Sequence, residues 1–383
     1  MNTAASTPAR AEIVVDLDAV RHNVRTLKER VEGRALIAVV KADGYGHGML
    51  PVARAVREAG AEWLGVAVLE EALALRDAGD TGRILCWLAV PGEDYRPALE
   101  ADVDVTAYTV EELGQVRSAA RETGARARVQ LKIDTGLARG GCTEEDWPDL
   151  VVAAAAAERA GEVVVTGIWS HFACSDEPEH PANDAQEAVF RWAVELAERA
   201  GLHPEIRHLA NSAAALSRPS SWFDAVRCGL ACYGLSPMPQ VASADELGLV
   251  PAMTVRSRLA VVKAVRAGSG VSYGHTYVAP HDTTVGVVPV GYGDGIPRHG
   301  SSRAPVLAAG QVRPITGRVC MDQFVLDLGD AEASAGDPVV LFGPGRDGEP
   351  TAQDWADACD TISYEIVTRI GGRMQRTYVG EGA

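Results

Sequence analysis

The first residues whose side chains could take part in a reaction follow an apolar segment near the start of the chain. Residues 35–40 are all apolar and typical of a buried parallel strand, which ends at Lys41, with Tyr45 among the glycines that follow. In an α/β barrel, side chains at the carboxyl ends of strands point into the mouth where catalysis occurs. A lysine in a low-dielectric wall loses its proton easily and can form a Schiff base. The alternative is a lysine that ends a strand and reaches solvent.

Lysine is rare in this sequence, which narrows the choice of a reactive amine. Only four lysines occur, at positions 28, 41, 132 and 263. Lys28 lies in a charged helical stretch, and Lys263 lies in the middle of an alternating strand pattern. Lys41 and Lys132 are therefore the two lysines at positions typical of a site.

Further polar clusters fall at turns or at the ends of predicted strands, and their residue types suit an anionic ring cofactor. They comprise Lys132, Asp134 and Arg139; His171; His208, Asn211 and Ser212; Arg227 and Gly229; Tyr273; and Cys320, Met321 and Asp322. Single clusters also have structural interpretations, because Asp134-Thr135-Gly136 favours a turn and Asn211-Ser212 favours a helix N-cap. Their joint placement at strand ends is what indicates a shared site.

Other classes of site find little support in the motifs. His171, Asp176 and His180 are too loosely spaced in a polar loop to predict a metal centre, so we expect none. The sequence contains no H-E-x-x-H motif, and the G-x-S-x-G match at 270–274 lies outside the alternating strand and helix pattern in which a serine nucleophile elbow occurs, which argues against the common hydrolases.

The first two thirds of the chain alternate between strand and helix patterns. Strand candidates begin near residues 35, 63, 84, 103, 129, 163, 205 and 225, and amphipathic helices are predicted at 49–59, 69–78, 110–122, 147–160 and 184–200. Asp18 is a plausible N-cap for a helix before the first of these strands. Eight such units predict an α/β fold, a (β/α)8 TIM-type barrel. A doubly wound sheet would also alternate, but no G-x-G-x-x-G motif follows an early strand.

The pattern changes after a proline-containing linker around residues 236–251. Short alternating segments broken by Gly, Pro and Asp predict a mostly-β C-terminal domain, with one late helix over 351–370. We therefore expect a barrel domain at residues 1–245 and a β-domain at 246–383.

Composition limits the partners. The net charge of -16 argues against nucleic acid or anionic membranes, and no run of residues is long and apolar enough to span a bilayer. The seven cysteines are scattered, so we expect no disulfide framework. We therefore expect the protein to occupy a reducing compartment. Because the first dozen residues also lack a signal-peptide core, we expect a cytoplasmic protein.

Several motifs together resemble those of bacterial alanine racemases, which are fold-type III enzymes that depend on pyridoxal 5′-phosphate (PLP). The matching segments are Val-Val-Lys-Ala-Asp-Gly-Tyr-Gly-His-Gly at 39–48, Lys-Ile-Asp-Thr-Gly at 132–136, Ser-His-Phe-Ala at 170–173, Leu-Ala-Asn-Ser at 209–212, Val-Ser-Tyr-Gly at 271–274, Gly-Tyr-Gly-Asp-Gly at 291–295, Cys-Met-Asp at 320–322 and Tyr-Glu-Ile at 364–366. The resemblance covers essentially the whole chain.

The resemblance implies a homodimer in which each active site is shared between subunits. Lys41 would hold PLP as an aldimine, His171 would stack on its ring and Arg227 would meet the pyridine nitrogen. The other cofactor-binding residues that it implies are Tyr45, Asn211, Ser212, Gly229, Leu230 and Tyr364. Arg139, together with Met321 from the partner, would hold the substrate carboxylate. The supporting residues are Lys132, His208, Tyr292, Cys320 and Asp322.

The activity that this resemblance implies is the interconversion of L-alanine and D-alanine, which supplies D-alanine for peptidoglycan. The two bases would be Lys41 and Tyr273 of the other subunit, one on each face of the α-carbon. Both groups start with pKa values of ~10, so each pKa must be lowered. The family's candidate for the hydrogen bond that tunes the tyrosine is His208. Lys132 matches a lysine that is carbamylated in some members.

Alternative activities remain open at this point. Amino-acid racemases of broader specificity, for example for serine, share the fold. The volume of a pocket discriminates between two substrates by only ~1 to 3 kcal/mol per methylene group. PLP-dependent decarboxylases of the same fold use a carboxylate where this chain has Arg227. Non-enzymatic PLP-binding relatives are single barrels, and an aldolase using a Schiff base without PLP is a more distant alternative.

Overall fold

The structure is a computed structural model that describes residues 9–382. The chain divides into two compact units, each described by itself below. The barrel unit comprises residues 20–44 and 48–249, and the β-rich unit comprises residues 9–19, 45–47 and 250–382.

Strands and helices are numbered in chain order. The strands are β1 Ala11–Asp16, β2 Ala35–Val39, β3 Trp63–Val66, β4 Arg83–Cys86, β5 Asp104–Ala107, β6 Ala127–Lys132, β7 Val163–Trp169, β8 Ile206–His208, β9 Ala225–Cys228, β10 Met253–Arg258, β11 Val261–Val265, β12 Gly270–Val271, β13 Tyr277–Val278, β14 Thr283–Val288, β15 Pro305–Ala308, β16 Gln311–Thr316, β17 Phe324–Gly329, β18 Pro338–Phe342 and β19 Gln375–Val379. The helices are α1 Leu17–Arg30, α2 Lys41–Tyr45, α3 Met49–Glu58, α4 Leu69–Asp77, α5 Arg96–Glu100, α6 Val110–Thr123, α7 Trp147–Arg159, α8 Ala182–Arg199, α9 Ser212–Ser217, α10 Ala352–Ala358 and α11 Ser363–Arg369; of these, α2 is a single turn with left-handed backbone.

The barrel unit contains eight parallel strands in the order β8-β7-β6-β5-β4-β3-β2-β9. Strands β8 and β9 approach each other as well, because Asp224 N donates to Arg207 O at 3.0 Å and Arg227 N donates to Ala210 O at 2.9 Å. The sheet is therefore nearly closed. The predicted α/β fold and (β/α)8 barrel are confirmed, and each of the eight strands begins within two residues of its predicted start.

The barrel strands are buried on both faces, mostly through apolar side chains. Every residue of β3 and β5 is buried, and Ile37, Trp63 and Leu85 from three neighbouring strands pack in one core cluster. Such two-sided burial is typical of parallel strands covered by helices. The carboxyl ends of all eight strands meet at one mouth, so side chains that follow different strands can share a site.

The β-rich unit contains a nine-stranded sheet in the order β11-β14-β17-β16-β15-β18-β10-β1-β19. Strand β1 is antiparallel to β10 and parallel to β19, and its residues Ala11, Ile13 and Val15 are buried. The sequence-based division placed residues 1–245 in the barrel domain, whereas β1 pairs inside this sheet. Nothing local in the sequence of β1 marks partners that lie more than 230 residues away.

Two predicted helix boundaries were wrong. Asp16, not Asp18, caps α1, because its Oδ1 accepts from Asp18 N at 2.9 Å and Ala19 N at 3.1 Å. The late helix expected over 351–370 is two helices, α10 and α11, separated at Asp360, whose φ of 52° is left-handed. Within residues 9–382, no helix combines the length and apolar character needed to cross a bilayer.

Candidate active site

The barrel mouth gathers the polar residues that the sequence placed at strand ends. Lys132 is the last residue of β6, His208 is the last residue of β8 and Arg227 lies in β9, while Lys41 follows β2 and His171 follows β7. Lys132, Arg227 and His208 are buried, and Lys41 and His171 are half-buried. The sequence therefore identified residues that the structure brings to one end of one barrel.

Two tryptophans that sequence reasoning missed form an aromatic wall beside these cations. The ring centroids of Trp87 and Trp169 are 6.0 Å apart in an edge-on arrangement. Nζ of Lys132 lies 4.6 Å from the Trp169 ring centroid, Cζ of Arg227 lies 4.8 Å from it, and Nζ of Lys41 lies 5.5 Å from the Trp87 ring centroid. Such cation–π contacts help to hold positive charges at positions poor in water.

Burial and mutual repulsion weaken the hold of both lysines on their protons. Burial lowers the pKa of Lys41, and Arg139 and Arg227 lower it further, while Glu71 opposes the shift. Burial, with Arg227 and Arg139, lowers the pKa of Lys132 to about 8. A lysine with a lowered pKa is more often the neutral amine that can act as a nucleophile or a base. The excess of positive charge also favours an anionic ligand.

Arg227 is fixed between two imidazoles. Its Nη1 lies 2.9 Å from Nδ1 of His208, and its Nη2 lies 3.1 Å from Nδ1 of His171. Burial lowers the pKa of Arg227 to about 9, so the guanidinium stays protonated at neutral pH. Burial and Arg227 hold the pKa of both histidines well below the usual range, so both rings stay neutral.

The expectation that His208 tunes Tyr273 is wrong. His208 has no exposed surface, and its two ring nitrogens contact Gln130 Oε1 at 2.7 Å and Arg227 Nη1 at 2.9 Å. Both nitrogens are therefore used inside the barrel, and none remains for a phenol. Only the packing of β6, β8 and β9 shows this, because the sequence does not say which strand-end polar groups face inward.

The turn after Lys41 has an unusual backbone. Ala42, Asp43 and Gly44 all have left-handed dihedral angles, with φ of 53°, 53° and 61°. Glu71 holds this turn, because its Oε1 accepts from Ala42 N at 2.7 Å while its Oε2 accepts from Ala67 N at 2.9 Å. Left-handed backbone at non-glycine residues is strained and clusters at functional sites. Glu71 lies in the first turn of α4, and no motif in the sequence marks it as a site residue.

The loop that presents Arg139 is organised by one carboxylate. Asp134 Oδ1 accepts from the backbone N of Gly136 at 2.9 Å and of Leu137 at 2.9 Å, and Oδ2 accepts from Arg139 N at 3.1 Å. These bonds outweigh the burial of Asp134 and keep its pKa below the usual range. The predicted turn is confirmed, and it leaves the Arg139 side chain exposed.

A second group of predicted residues surrounds the start of α9. Asn211 is its N-cap, since its Oδ1 accepts from Ala214 N at 3.1 Å, as predicted. Oγ of the buried Ser212 accepts from Gly229 N at 2.9 Å, which leaves the hydroxyl proton to donate elsewhere. Leu230 follows in the same segment and is fully buried. Small residues, a hydroxyl and backbone N–H groups are the groups that cradle phosphate.

The β-rich unit positions two predicted tyrosines next to each other. The ring centroids of Tyr45 and Tyr364 are 6.1 Å apart. Gly46 has a φ of +77°, and a Cβ placed on it would lie 2.3 Å from the carbonyl oxygen of Val367 in α11. Only glycine therefore permits this segment to pack against α11, next to Tyr364.

The remaining predicted residues form a partly exposed patch on the β-rich unit. Tyr273 is 70% exposed, Met321 54% and Tyr292 40%. Backbone hydrogen bonds join the segments that carry Tyr292 and Met321. Tyr292 N donates to Cys320 O at 3.0 Å, and Gly293 N donates to Met321 O at 2.9 Å.

An ion-pair network holds these segments in place. The fully buried Asp294 accepts from Arg10 Nη2 at 2.9 Å and from Arg373 Nε at 3.0 Å, and Arg373 also donates to Asp322 at 2.7 Å. Cys320 Sγ lies 3.4 Å from Ser272 Oγ, directly before Tyr273. These bonds therefore fix the segments that carry the patch.

Two protein-family models match consecutive parts of the chain. A family model described as "Alanine racemase, N-terminal domain" matches residues 15–237, and one described as "Alanine racemase, C-terminal domain" matches residues 252–378. Together the two models span most of the chain.

Individual proteins are similar along their full length. An alanine racemase of Frankia casuarinae is 55% identical over 375 residues, which is 98% of each chain. One of Streptomyces coelicolor is 56% identical over 378 residues, covering 97% of this chain and 96% of the relative. The crystal structure of alanine racemase from D-cycloserine producing Streptomyces lavendulae superposes with a TM-score of 0.97 at 56% identity, covering 98% of both chains.

Proposed function

Because the chain belongs to the alanine racemase family, we propose that it interconverts L-alanine and D-alanine with PLP as its cofactor. The observation that carries this proposal is the barrel mouth itself. It presents Lys41, with a lowered pKa, beside Arg227, which is fixed between two neutral imidazoles.

The residues at the mouth fit an anionic ring cofactor. Lys41, Lys132, Arg139 and Arg227 bring positive charge to the mouth, and each lysine lies beside a tryptophan ring. Nε1 of the buried Trp169 has no hydrogen-bond partner, so it could donate to an acceptor on a ligand or to a carbamate on Lys132. The phosphate would be held by Ser212, Gly229, Leu230 and the Asn211 region, together with Tyr45 and Tyr364. His171 would lie against the ring.

Each protein group then has a defined task. Bound PLP supplies the electron sink that makes the α-proton of an amino acid acidic. Lys41 would accept that proton on one face of the α-carbon, and Tyr273 of the other subunit would return one on the opposite face. Arg227 would donate a hydrogen bond to the ring nitrogen without giving up its proton, since guanidinium remains protonated. Arg139, with the partner's Met321 backbone, would hold the substrate carboxylate.

The enzyme would act as a cytoplasmic homodimer. A homodimer with shared active sites would use the Tyr273, Tyr292 and Met321 patch, which is exposed on a single chain. The seven cysteines are all free, which suits a reducing compartment, so we place the enzyme in the cytoplasm, where it would supply D-alanine for peptidoglycan. Tyr292, Tyr364 and Met321 would restrict the side-chain pocket and favour alanine over larger amino acids.

The direct test combines absorbance with chirality. We expect the purified protein to absorb as a PLP–lysine adduct and to convert pure L-alanine or D-alanine into the same equal mixture. Lys41→Ala should abolish the adduct absorbance and lower the racemisation rate by at least about 1,000-fold, because one residue supplies both the attachment and a base.

Lys263→Ala is the matched control, since Lys263 lies in β11 of the β-rich unit. It removes the same side chain and should change neither absorbance nor rate. A colourless protein that does not bind PLP, or undiminished racemisation by Lys41→Ala, would contradict the proposal.

A further inference from the structure

The orientation of Arg227 depends on the protonation of its neighbours. Nη1 of Arg227 donates to Nδ1 of His208, and Nη2 of Arg227 donates to Nδ1 of His171. Nη2 also donates to the carbonyl oxygens of Ser170 and Leu209. An imidazole nitrogen accepts a hydrogen bond only when it carries no proton. Each ring must therefore be neutral and protonated on Nε2 for Arg227 to keep this geometry.

Gln130 meets the other nitrogen of His208. Nε2 of His208 lies 2.7 Å from Oε1 of Gln130, and both side chains are fully buried. An amide oxygen can only accept, so this contact requires the proton on Nε2. Trp169 fixes the plane of the imidazole, because the two rings stack 5.6 Å apart at 11°. His208 is thereby limited to the tautomer that accepts from Arg227.

Asp104 decides which way the amide of Gln130 faces. Nε2 of Gln130 donates to Asp104 Oδ2 at 3.3 Å, and Nε of Arg128 donates to Oδ1 at 2.6 Å. Burial raises the pKa of Asp104, while Arg128, Thr166 and Gln130 all donate to it and favour the carboxylate. A rotated amide would place its oxygen against this carboxylate and its NH2 group against the N–H of His208, which costs two hydrogen bonds.

The neighbouring strand provides the space for this amide. Gly167 lies in β7, and a Cβ placed on it would lie 2.6 Å from both Cδ and Oε1 of Gln130. Real side chains do not tolerate that distance, so a larger residue at 167 would displace the amide. Strands β6 and β7 are thus matched in sequence to hold Gln130 where His208 needs it.

We infer that Gln130 and Asp104 are positioning residues, which orient Arg227 by fixing the proton of His208 on Nε2. The chain of contacts runs from Asp104 in β5 through Gln130 in β6 and His208 in β8 to Arg227 in β9. Its importance for racemisation rests on the proposed function. The tautomer of His208 does not, and it can be measured separately. In metal sites, partners that fix the tautomer of a ligating histidine commonly contribute 10- to 100-fold to metal affinity or activity, and we expect an effect at the lower end of that range here.

The experiment measures the tautomer by NMR of the full chain labelled with ¹⁵N-histidine. Long-range ¹H–¹⁵N correlations distinguish the protonated from the bare ring nitrogen, and loss of the signal in His208→Asn assigns it among the nine histidines. We expect His208 of the unsubstituted protein to be neutral and protonated on Nε2. Gln130→Met, which keeps the length of the side chain but removes the acceptor, should produce an Nδ1-protonated population and lower kcat by about 10-fold.

Thr166→Val is the matched control, because Thr166 is equally buried and its hydroxyl donates to the same carboxylate but makes no hydrogen bond to Gln130 or His208. It should leave the tautomer unchanged. Gly167→Ala should reproduce the Gln130→Met spectrum by displacing the amide. An Nδ1-protonated or doubly protonated His208 in the unsubstituted protein overturns the inference without any variant. The inference is also overturned if His208 keeps the Nε2 tautomer in Gln130→Met. Failure to racemise alanine would instead contradict the proposed function, and the spectra would still be readable.

Discussion

At the scale of single residues, burial determines the chemistry of the barrel mouth. The sequence correctly predicted which residue types stand at the strand ends, and Lys41, Lys132, His171, His208 and Arg227 do meet at one mouth. It could not predict which of them face solvent and which face the core. His208 shows the difference, since the same imidazole that resembles an exposed hydrogen-bond partner in the sequence is fully enclosed in the structure.

The enclosure of His208 predicts a specific sensitivity to acid. Its pKa is held well below 6.5 by burial and by Arg227, so below pH 6.5 the unfolded chain binds a proton that the folded chain does not. The free energy of unfolding must therefore fall as the pH falls below 6.5, by up to about 1.4 kcal/mol per pH unit for this residue. His208→Gln should remove that contribution and flatten the curve between pH 6.5 and 5.

Urea denaturation across this pH range measures the slope. His203→Gln is the control, because His203 is exposed in the loop before β8. It should retain the slope of the unsubstituted protein, whereas equal slopes for all three proteins would show that His208 does not resist protonation.

At the scale of elements, regular periodicity was predicted well and irregular backbone was not. The strands and helices of the barrel follow from repeated apolar spacing, which is a local property. The left-handed turn after Lys41 depends instead on Glu71, which lies in another element and accepts from Ala42 N. The pairing of β1 with β10 and β19 is likewise a property of distant segments. Neither leaves a local signal that a single sequence reveals.

The strain in this turn predicts an unusual response to glycine. A left-handed conformation costs a non-glycine residue about 1 to 2 kcal/mol, whereas glycine adopts it freely and loses about 0.5 to 1 kcal/mol in chain entropy. Ala42→Gly should therefore leave the free energy of unfolding unchanged or raise it by about 0.5 kcal/mol. Ala74→Gly, in the regular helix α4, should lower it by about 1 kcal/mol. Urea denaturation of both variants compares them directly, and equal losses would mean that the turn is unstrained.

At the scale of the whole molecule, the candidate functional residues fall into two sets, one in each unit. The cations and imidazoles lie in the barrel unit, while Tyr273 and Met321 lie in the β-rich unit and are exposed. The family could be predicted from motifs in both units, and the comparisons confirm it. The number of chains in the assembly is a separate property, which the shared-site proposal makes testable.

Shared active sites predict that two inactive variants restore each other. Lys41→Ala and Tyr273→Phe should each be nearly inactive alone. After unfolding and refolding an equal mixture, about half of the dimers should be mixed, and each mixed dimer has one site with both bases intact. The racemisation rate should therefore return to about a quarter of that of the unsubstituted protein. Separately refolded and then mixed dimers serve as the control, and no recovery would place both bases on the same chain.

The position of β1 also bears on how the protein is synthesised. The ribosome produces this strand before the barrel, but its two neighbours in the sheet, β10 and β19, are both made after the barrel. The barrel can mature while translation continues, whereas β1 must wait with an apolar face and unpaired edges until β10 and then β19 have been made. A ribosome that stalls late would thus release a chain with a finished barrel and an open sheet, the kind of intermediate that chaperones and proteases recognise.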